Sequence, residues 1–162
     1  MQRQVKGANE RERRVYMAGL SFSQMAGFKS ARDLCANTLL FAADIDTDTI
    51  VLYDDSINLD TEQVKSAAGD SFSAFWQNAV EVYVDESVKD VVRGFLNVSH
   101  LRDSFERGRM SECIEYPCIV AGDTLWMRAC YELRQNEEGH VCVQVLLVNM
   151  TLYHAPDDMD RA

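Results

Sequence analysis

Four kinds of residue in this chain could do chemistry: five cysteines, three histidines, a run of acids, and an isolated Gly-Asp-Ser. The cysteines are Cys35, Cys113, Cys118, Cys130 and Cys142. Their number is odd and no two are spaced as Cys-x-x-Cys, which argues against a zinc site and against a disulfide scaffold. The expectation is five reduced thiols, mostly buried and inert, because reactivity needs a partly exposed, electropositive setting. His140 sits in a turn sequence and His154 near the end, both in polar surroundings that read as exposed. Asp44, Asp46, Asp48, Asp54 and Asp55 flank a hairpin signal and read as solvated rather than catalytic. "GDS" at 69–71 has no accompanying histidine signature, and neither G-x-x-x-x-G-K-[ST] nor G-x-G-x-x-G occurs. No catalytic residue is assigned, and the chain reads as a non-enzymatic module.

The elements that must position these residues follow from patterning. Spaced apolar residues (Val15, Leu20, Phe22, Met25, Phe28) predict an N-terminal helical segment with a break near Gly27. "TLLFAADIDTDTIVLYDD" predicts a hairpin. Short helices follow, with Asp60, Asp70, Asp85 and either Asn97 or Ser99 as N-caps and Gly108 as a C-terminal stop. From about 112 to 151 the chain predicts three strands, turning at "AGD" and "NEEG". Strands at both ends with helices between predict an α+β fold: one antiparallel sheet with its helices segregated to one face. Pro117 places the third strand at an edge or a bulge. The last strand, "VCVQVLLVNM", is apolar on both faces, so it is expected to be central and covered on both sides.

Taking "NEEG" as the whole second turn puts Cys142, Gln144, Leu146, Val148 and Met150 on the core side. The outer side then carries Trp126, Cys130, Val141, Val143, Val145 and Leu147. That stripe is expected to be an interface, covered by the N-terminal segment, by a second subunit, or by both.

The net charge is −10. Five of the bases fall within the first fourteen residues, so the remainder is more acidic still, and nucleic-acid binding by it is not expected. The longest apolar runs are too short to cross a bilayer and no signal peptide is evident, so a cytoplasmic location without membrane insertion is expected.

Trp126 and Arg128 as Trp-x-Arg, Gly139 in the next turn, "VLLVNMT" closing the chain's sheet, and "VYVDESVKDVV" entering a helix together resemble a PAS domain. The resemblance is to the type found in bacterial diguanylate cyclases and sensor histidine kinases. It spans about residues 38–152, leaving 1–37 as a helical cap or linker and 153–162 as a tail. It implies a five-stranded antiparallel sheet with short helices inserted after the second strand. It also implies a sensory or dimerisation module that binds a small ligand or partner and relays a shift to an output domain. No particular cofactor is implied. The wall of such a pocket would be Phe41, Tyr53, Phe72, Trp76, Tyr116, Met127, Tyr131 and Leu146; the same residues could equally just fill the core. A homodimer is the expected assembly. The sequence departs from the pattern at Asn149, where an acid is usual. His100 stands where haem-binding members place their iron ligand, but its helix is polar and a surface role is the simpler account. No Asn-Cys-Arg-type loop for a flavin adduct is present. A small cone-shaped α+β enzyme of isomerase or hydratase type, with an acid deep in its pocket, is the alternative.

Overall fold

In the computed structural model, residues 38–55 and 61–151 are described. The strands are β1 (Thr38–Asp44), β2 (Thr49–Asp55), β3 (Ser111–Val120), β4 (Asp123–Gln135) and β5 (Val141–Asn149). Between β2 and β3 run α1 (Glu62–Ala68), α2 (Phe72–Tyr83), a single 3-10 turn (Glu86–Val88), α3 (Lys89–Phe95) and α4 (Val98–Glu106). The strands form one sheet in the order β2-β1-β5-β4-β3, all neighbours antiparallel. The last strand is therefore central and lies against the first, as its two-sided apolarity requires. Pro117 is on β3, an edge strand, where a missing N–H costs the ladder nothing.

Local chemistry explains the boundaries. Ser71 caps α2, its hydroxyl accepting the N–H of Ala74, and Phe72, Phe75, Trp76 and Val80 then fall on one buried helical face. Asp70, the cap expected for this helix, lies one residue too early. Asn97 caps α4, its side-chain oxygen accepting from the N–H groups of Ser99 and His100. Gly108 (φ 77°) ends that helix, and the Arg109 N–H reaches back to the Ser104 carbonyl. Asp85 caps the 3-10 turn. Asp60 lies outside the described residues. Between β1 and β2 the register shifts after Ala42, which leaves Val51 as the extra residue of a bulge.

The core lies between the sheet and the helices. From the sheet it takes Leu39, Phe41 and Ala43 of β1, Tyr116 and Cys118 of β3, Met127, Ala129, Tyr131 and Leu133 of β4, and Val143, Val145 and Leu147 of β5. Phe41 meets Phe75 edge-on at 5.2 Å, and Phe95 packs on Tyr131 at 5.1 Å.

The faces of β5 are the reverse of those expected from the turn sequence. Tyr131 pairs with Val145 and Leu133 with Val143, so the valines face the helices, while Cys130 pairs with Leu146 on the opposite face. The reason is one residue in the turn. His140 belongs to it: the Asn136 N–H donates to the His140 carbonyl, and Gly139 adopts φ 83°. This leaves Glu137, Glu138 and Gly139 as a three-residue loop ending in a left-handed glycine, a standard hairpin geometry. Counting "NEEG" as the turn slips the strand by one, and a slip of one exchanges every side chain between faces. The first turn carries no such penalty. Ala121 (φ 51°) and Gly122 (φ 83°) are both left-handed, as a two-residue type I′ turn demands. They pair Val120 with Asp123.

The outer face of the sheet is also dry at its centre: Leu40, Cys130, Leu146 and Val148 are all buried. The cover expected for that face, residues 1–37, lies outside the described residues.

Candidate functional site

A cavity of about 40 Å³ lies between α2 and the sheet. The sheet contributes Leu39, Tyr116, Cys118, Met127 and Leu147; α2 contributes Phe75, Trp76, Ala79, Val80 and Tyr83. Val64 of α1 closes one side, with Thr61 just before that helix and Val84 just after α2. No charged side chain is among the described lining residues. Left empty, a void of this size costs about 1 kcal/mol at the usual ~24 cal/mol per Å³. By volume it admits about three water-sized groups.

The polar atoms around it differ in how they are satisfied. Trp76 Nε1–H donates to the Val92 carbonyl at 3.1 Å. The Thr61 hydroxyl donates to Asp55 and lies 2.8 Å from the Tyr53 hydroxyl. Burial pushes the Tyr53 phenol up to about 12, against the hydrogen bond to Thr61, which lowers it. Tyr116 is different. It is 4% exposed, and its hydroxyl makes no hydrogen bond among the described residues. Burial drives its pKa far above the ordinary tyrosine value, so the phenol is neutral and available as a donor. Cys118, two residues on and facing the same side, is raised to about 12 by burial. It is a neutral thiol with no thiolate chemistry at physiological pH.

Of the eight residues expected to wall a pocket, Phe41, Phe72, Trp76, Tyr116, Met127 and Tyr131 are in the core on the helix side, and Tyr53 packs against it. Trp76, Tyr116 and Met127 line the cavity itself. Leu146 stands on the other face, opposite Cys130. In its place the cavity has Leu147, which had been assigned to the outer stripe. Val143 and Val145 are likewise core residues and Val141 packs against the core, whereas Trp126 and Cys130 keep the outward parity expected of them.

Two expectations about reactive side chains are overturned. Cys113 and Cys130 are joined by a disulfide, their Cα atoms 4.1 Å apart, so the five thiols are not all free. The cause is register: the two residues are directly opposite on β3 and β4, a relationship that spacing along the chain does not display. Cys118 and Cys142 are free, and Cys35 lies outside the described residues. The hairpin acids are not simply solvated either. Asp44 is 8% exposed; its Oδ1 accepts the N–H groups of Asp46 and Thr47, and its Oδ2 lies 2.7 Å from His140 Nδ1. Asp46 accepts the Val141 N–H and pairs with Arg102 of α4 at 3.1 Å. Asp48 accepts from the Ser73 N–H and from the hydroxyls of Ser71 and Ser73, which ties the hairpin to the start of α2.

Asp44, Asp46 and His140 present donor atoms within 4.8 Å of one another, close enough to hold a metal ion. Each of these side chains is already engaged with the protein, so the group works as a clasp between two loops. His100, the other candidate ligand, is on α4 with Nε2 3.4 Å from Glu112 Oε2 and is not part of the cavity wall. His154 lies outside the described residues.

The end of β5 is fastened to β4. Met150 N–H donates to the Trp126 carbonyl at 2.7 Å, and Trp126 N–H donates to the Thr151 hydroxyl, which in turn donates to Asn149 Oδ1 at 2.6 Å. Asn149, which departs from the expected acid, thus keeps a carbonyl oxygen in the position of acceptor.

No family model matches the chain, and no curated protein matches it. Solved structures do. The N-terminal domain of a Marinobacter aquaeolei diguanylate cyclase with PAS/PAC sensor is 11% identical, with a TM-score of 0.45 over 73% of this chain and 99% of that one. The PAS domain from Bordetella pertussis BvgS is 16% identical, with a TM-score of 0.48 over 85% of this chain and 93% of its own. A sensory box histidine kinase/response regulator from Burkholderia thailandensis is also similar, at 14% identity and a TM-score of 0.45 over 90% and 92% of the two chains. Among the described residues no helix is long and apolar enough to cross a membrane.

Proposed function

We propose that this PAS-like chain is a sensory module. A small ligand enters the cavity between α2 and the sheet, and its presence is relayed through β4 and β5 to an output domain of diguanylate cyclase or histidine kinase type. The observation that carries this reading is the cavity wall: Met127 and Leu147 line it, and the first part of β4, which bears Met127, is tied to the end of β5 by the hydrogen bonds among Trp126, Asn149 and Thr151. A molecule pressing on those two side chains bears on the last residues of β5 directly. It shifts the equilibrium only by its differential affinity for the two states. Function as a homodimer in the cytoplasm, without nucleic-acid contacts, completes the proposal.

A cone-shaped enzyme would need a carboxylate in the cavity, and none is among the described lining residues. The testing experiment is native mass spectrometry of the protein as purified from cells, followed by hydrogen exchange. A bound small molecule and slowed exchange at 147–151 are expected. An unliganded protein whose β5 end does not respond to any added compound contradicts the module.

A further inference from the structure

We propose that the Cys113–Cys130 bridge is a thiol–disulfide switch, opened by attack of a small thiol at the Cys113 sulfur, and that its state sets how tightly the edge strand β3 is held to β4. The inference stands apart from the cavity and needs no ligand there. Position carries it. The two cysteines are directly opposed in a ladder that runs from Ser111 with Glu132 to Val120 with Asp123. The hairpin is therefore already paired on both sides of the bond, and the bond joins nothing the ladder leaves apart. Its two ends differ in access. Cys113 is exposed on the last strand of the sheet, whereas Cys130 is 0% exposed and faces Leu146 of β5. Exposed disulfides are the labile, regulatory kind.

The pair is also insulated from other thiols. The free cysteines among the described residues are Cys118 and Cys142. Cys118 is five residues beyond Cys113 and so on the other face of β3. Cys142 is four residues along β5 from the partner of Cys130, about 13 Å away. Neither reaches the bridge, so it reopens and recloses as the same pair. In the first step an external thiolate attacks the Cys113 sulfur. A new S–S bond forms there, the Cys113–Cys130 bond breaks, and the Cys130 sulfur leaves with the bonding pair and takes a proton. A second external thiolate then attacks the small molecule's sulfur in that mixed disulfide and releases Cys113 as a thiol. The bridge is reduced to two thiols while two small thiols are oxidised to one small disulfide, and closure is the reverse. With the bond open, β3 keeps its ladder but loses its covalent tie at the end that bears Glu112, the partner of His100 and Arg109.

The test uses the full chain and glutathione. Native protein is equilibrated at a series of ratios of reduced to oxidised glutathione, quenched with an alkylating agent, digested and mass-mapped at Cys113 and Cys130. Both thiols are expected to appear as the ratio rises, with the same midpoint whether the protein starts bridged or reduced. Cys130→Ser should accumulate a glutathione adduct at Cys113, and Cys113→Ser should leave Cys130 without one. Hydrogen exchange at 112–116 is expected to run several-fold faster in the reduced wild type and to slow again on reoxidation, with 143–147 unchanged. A bridge that opens only in denaturant is a structural staple and overturns the switch, as do thiols that oxidised glutathione fails to close. An adduct on Cys130 in Cys113→Ser overturns the assignment of the attacked sulfur. Exchange at 112–116 that is the same in both states overturns the control of β3. The wild-type titration and exchange decide the switch even where a cysteine variant fails to fold.

Discussion

His140 Nδ1 and Asp44 Oδ2 lie 2.7 Å apart and join the β4–β5 turn to the end of β1. Asp46, Glu138 and Arg102 face the same cluster. The hydrogen bond to Asp44 raises the His140 pKa above its ordinary 6.5, with Coulombic help from Asp44, Glu138 and Asp46 against the opposing effect of desolvation. Burial would raise Asp44, but the hydrogen bonds from His140, Thr47 and Asp46 outweigh it and hold it below 3.8. The stability contributed by His140 is therefore complete below pH 6.5 and lost as pH rises through its raised value. That contributed by Asp44 is present above 3.8 and lost as pH falls through its lowered value. Urea denaturation of wild type and His140→Ala across pH 5 to 9 should show the two converging as pH rises. Parallel curves contradict the clasp.

The Cys113–Cys130 bridge closes a chain separation of 17 residues. Chain entropy assigns roughly 3 kcal/mol to a loop of that size. Replacing both cysteines by alanine should lower the melting temperature, as should reduction of the wild type. Alkylation of the denatured, unreduced protein followed by peptide mass mapping should leave Cys113 and Cys130 unmodified; labelling at both refutes the bond.

Gly139 at φ 83° defines the loop that sets the β5 register. A Cβ there meets nothing within 4 Å, so the penalty of Gly139→Ala is conformational only, about 1–2 kcal/mol. The variant should be less stable but keep its fold. Should it gain stability, the left-handed loop is not what holds β5 in place.

Asp48→Ala removes the acceptor for one backbone N–H and two hydroxyls at the start of α2. A loss of about 1–3 kcal/mol is expected, with exchange accelerated at Phe72–Ala74 ahead of the rest of the helix. Uniform acceleration across the protein would show that Asp48 does not act locally.

How much of this was legible in the sequence differs from element to element. The central place of β5 was readable, because only a strand covered on both faces can be apolar on both. The edge position of β3 was readable from Pro117. The parity of β5 was not, because it depends on whether one residue, His140, counts as strand or loop, and a histidine fits both. That ambiguity moved Leu147 and Leu146 to the wrong sides of the sheet. The Cys113–Cys130 pair became visible only with the β3–β4 register in hand. The clasp at Asp44 and His140 joins residues on separate hairpins, and no local pattern marks it. The cavity was partly visible through its aromatic residues, Trp76 and Tyr116. The small and aliphatic ones, such as Ala79 and Val64, carry no signature that sets them apart from ordinary core.

The pairing of β1 with β5 brings Thr38 against Val148, from opposite ends of the described chain. During synthesis, β1 must wait with one long edge unpaired until the last strand has left the ribosome. The β1–β2 hairpin and the helices are made early, but the sheet can close only at the end, after the slow step of a long-range search. Leu39, Leu40 and Phe41 remain without their β5 partners for most of that interval, so β1 is the segment most exposed to aggregation in the nascent protein and the natural place for a chaperone to hold it.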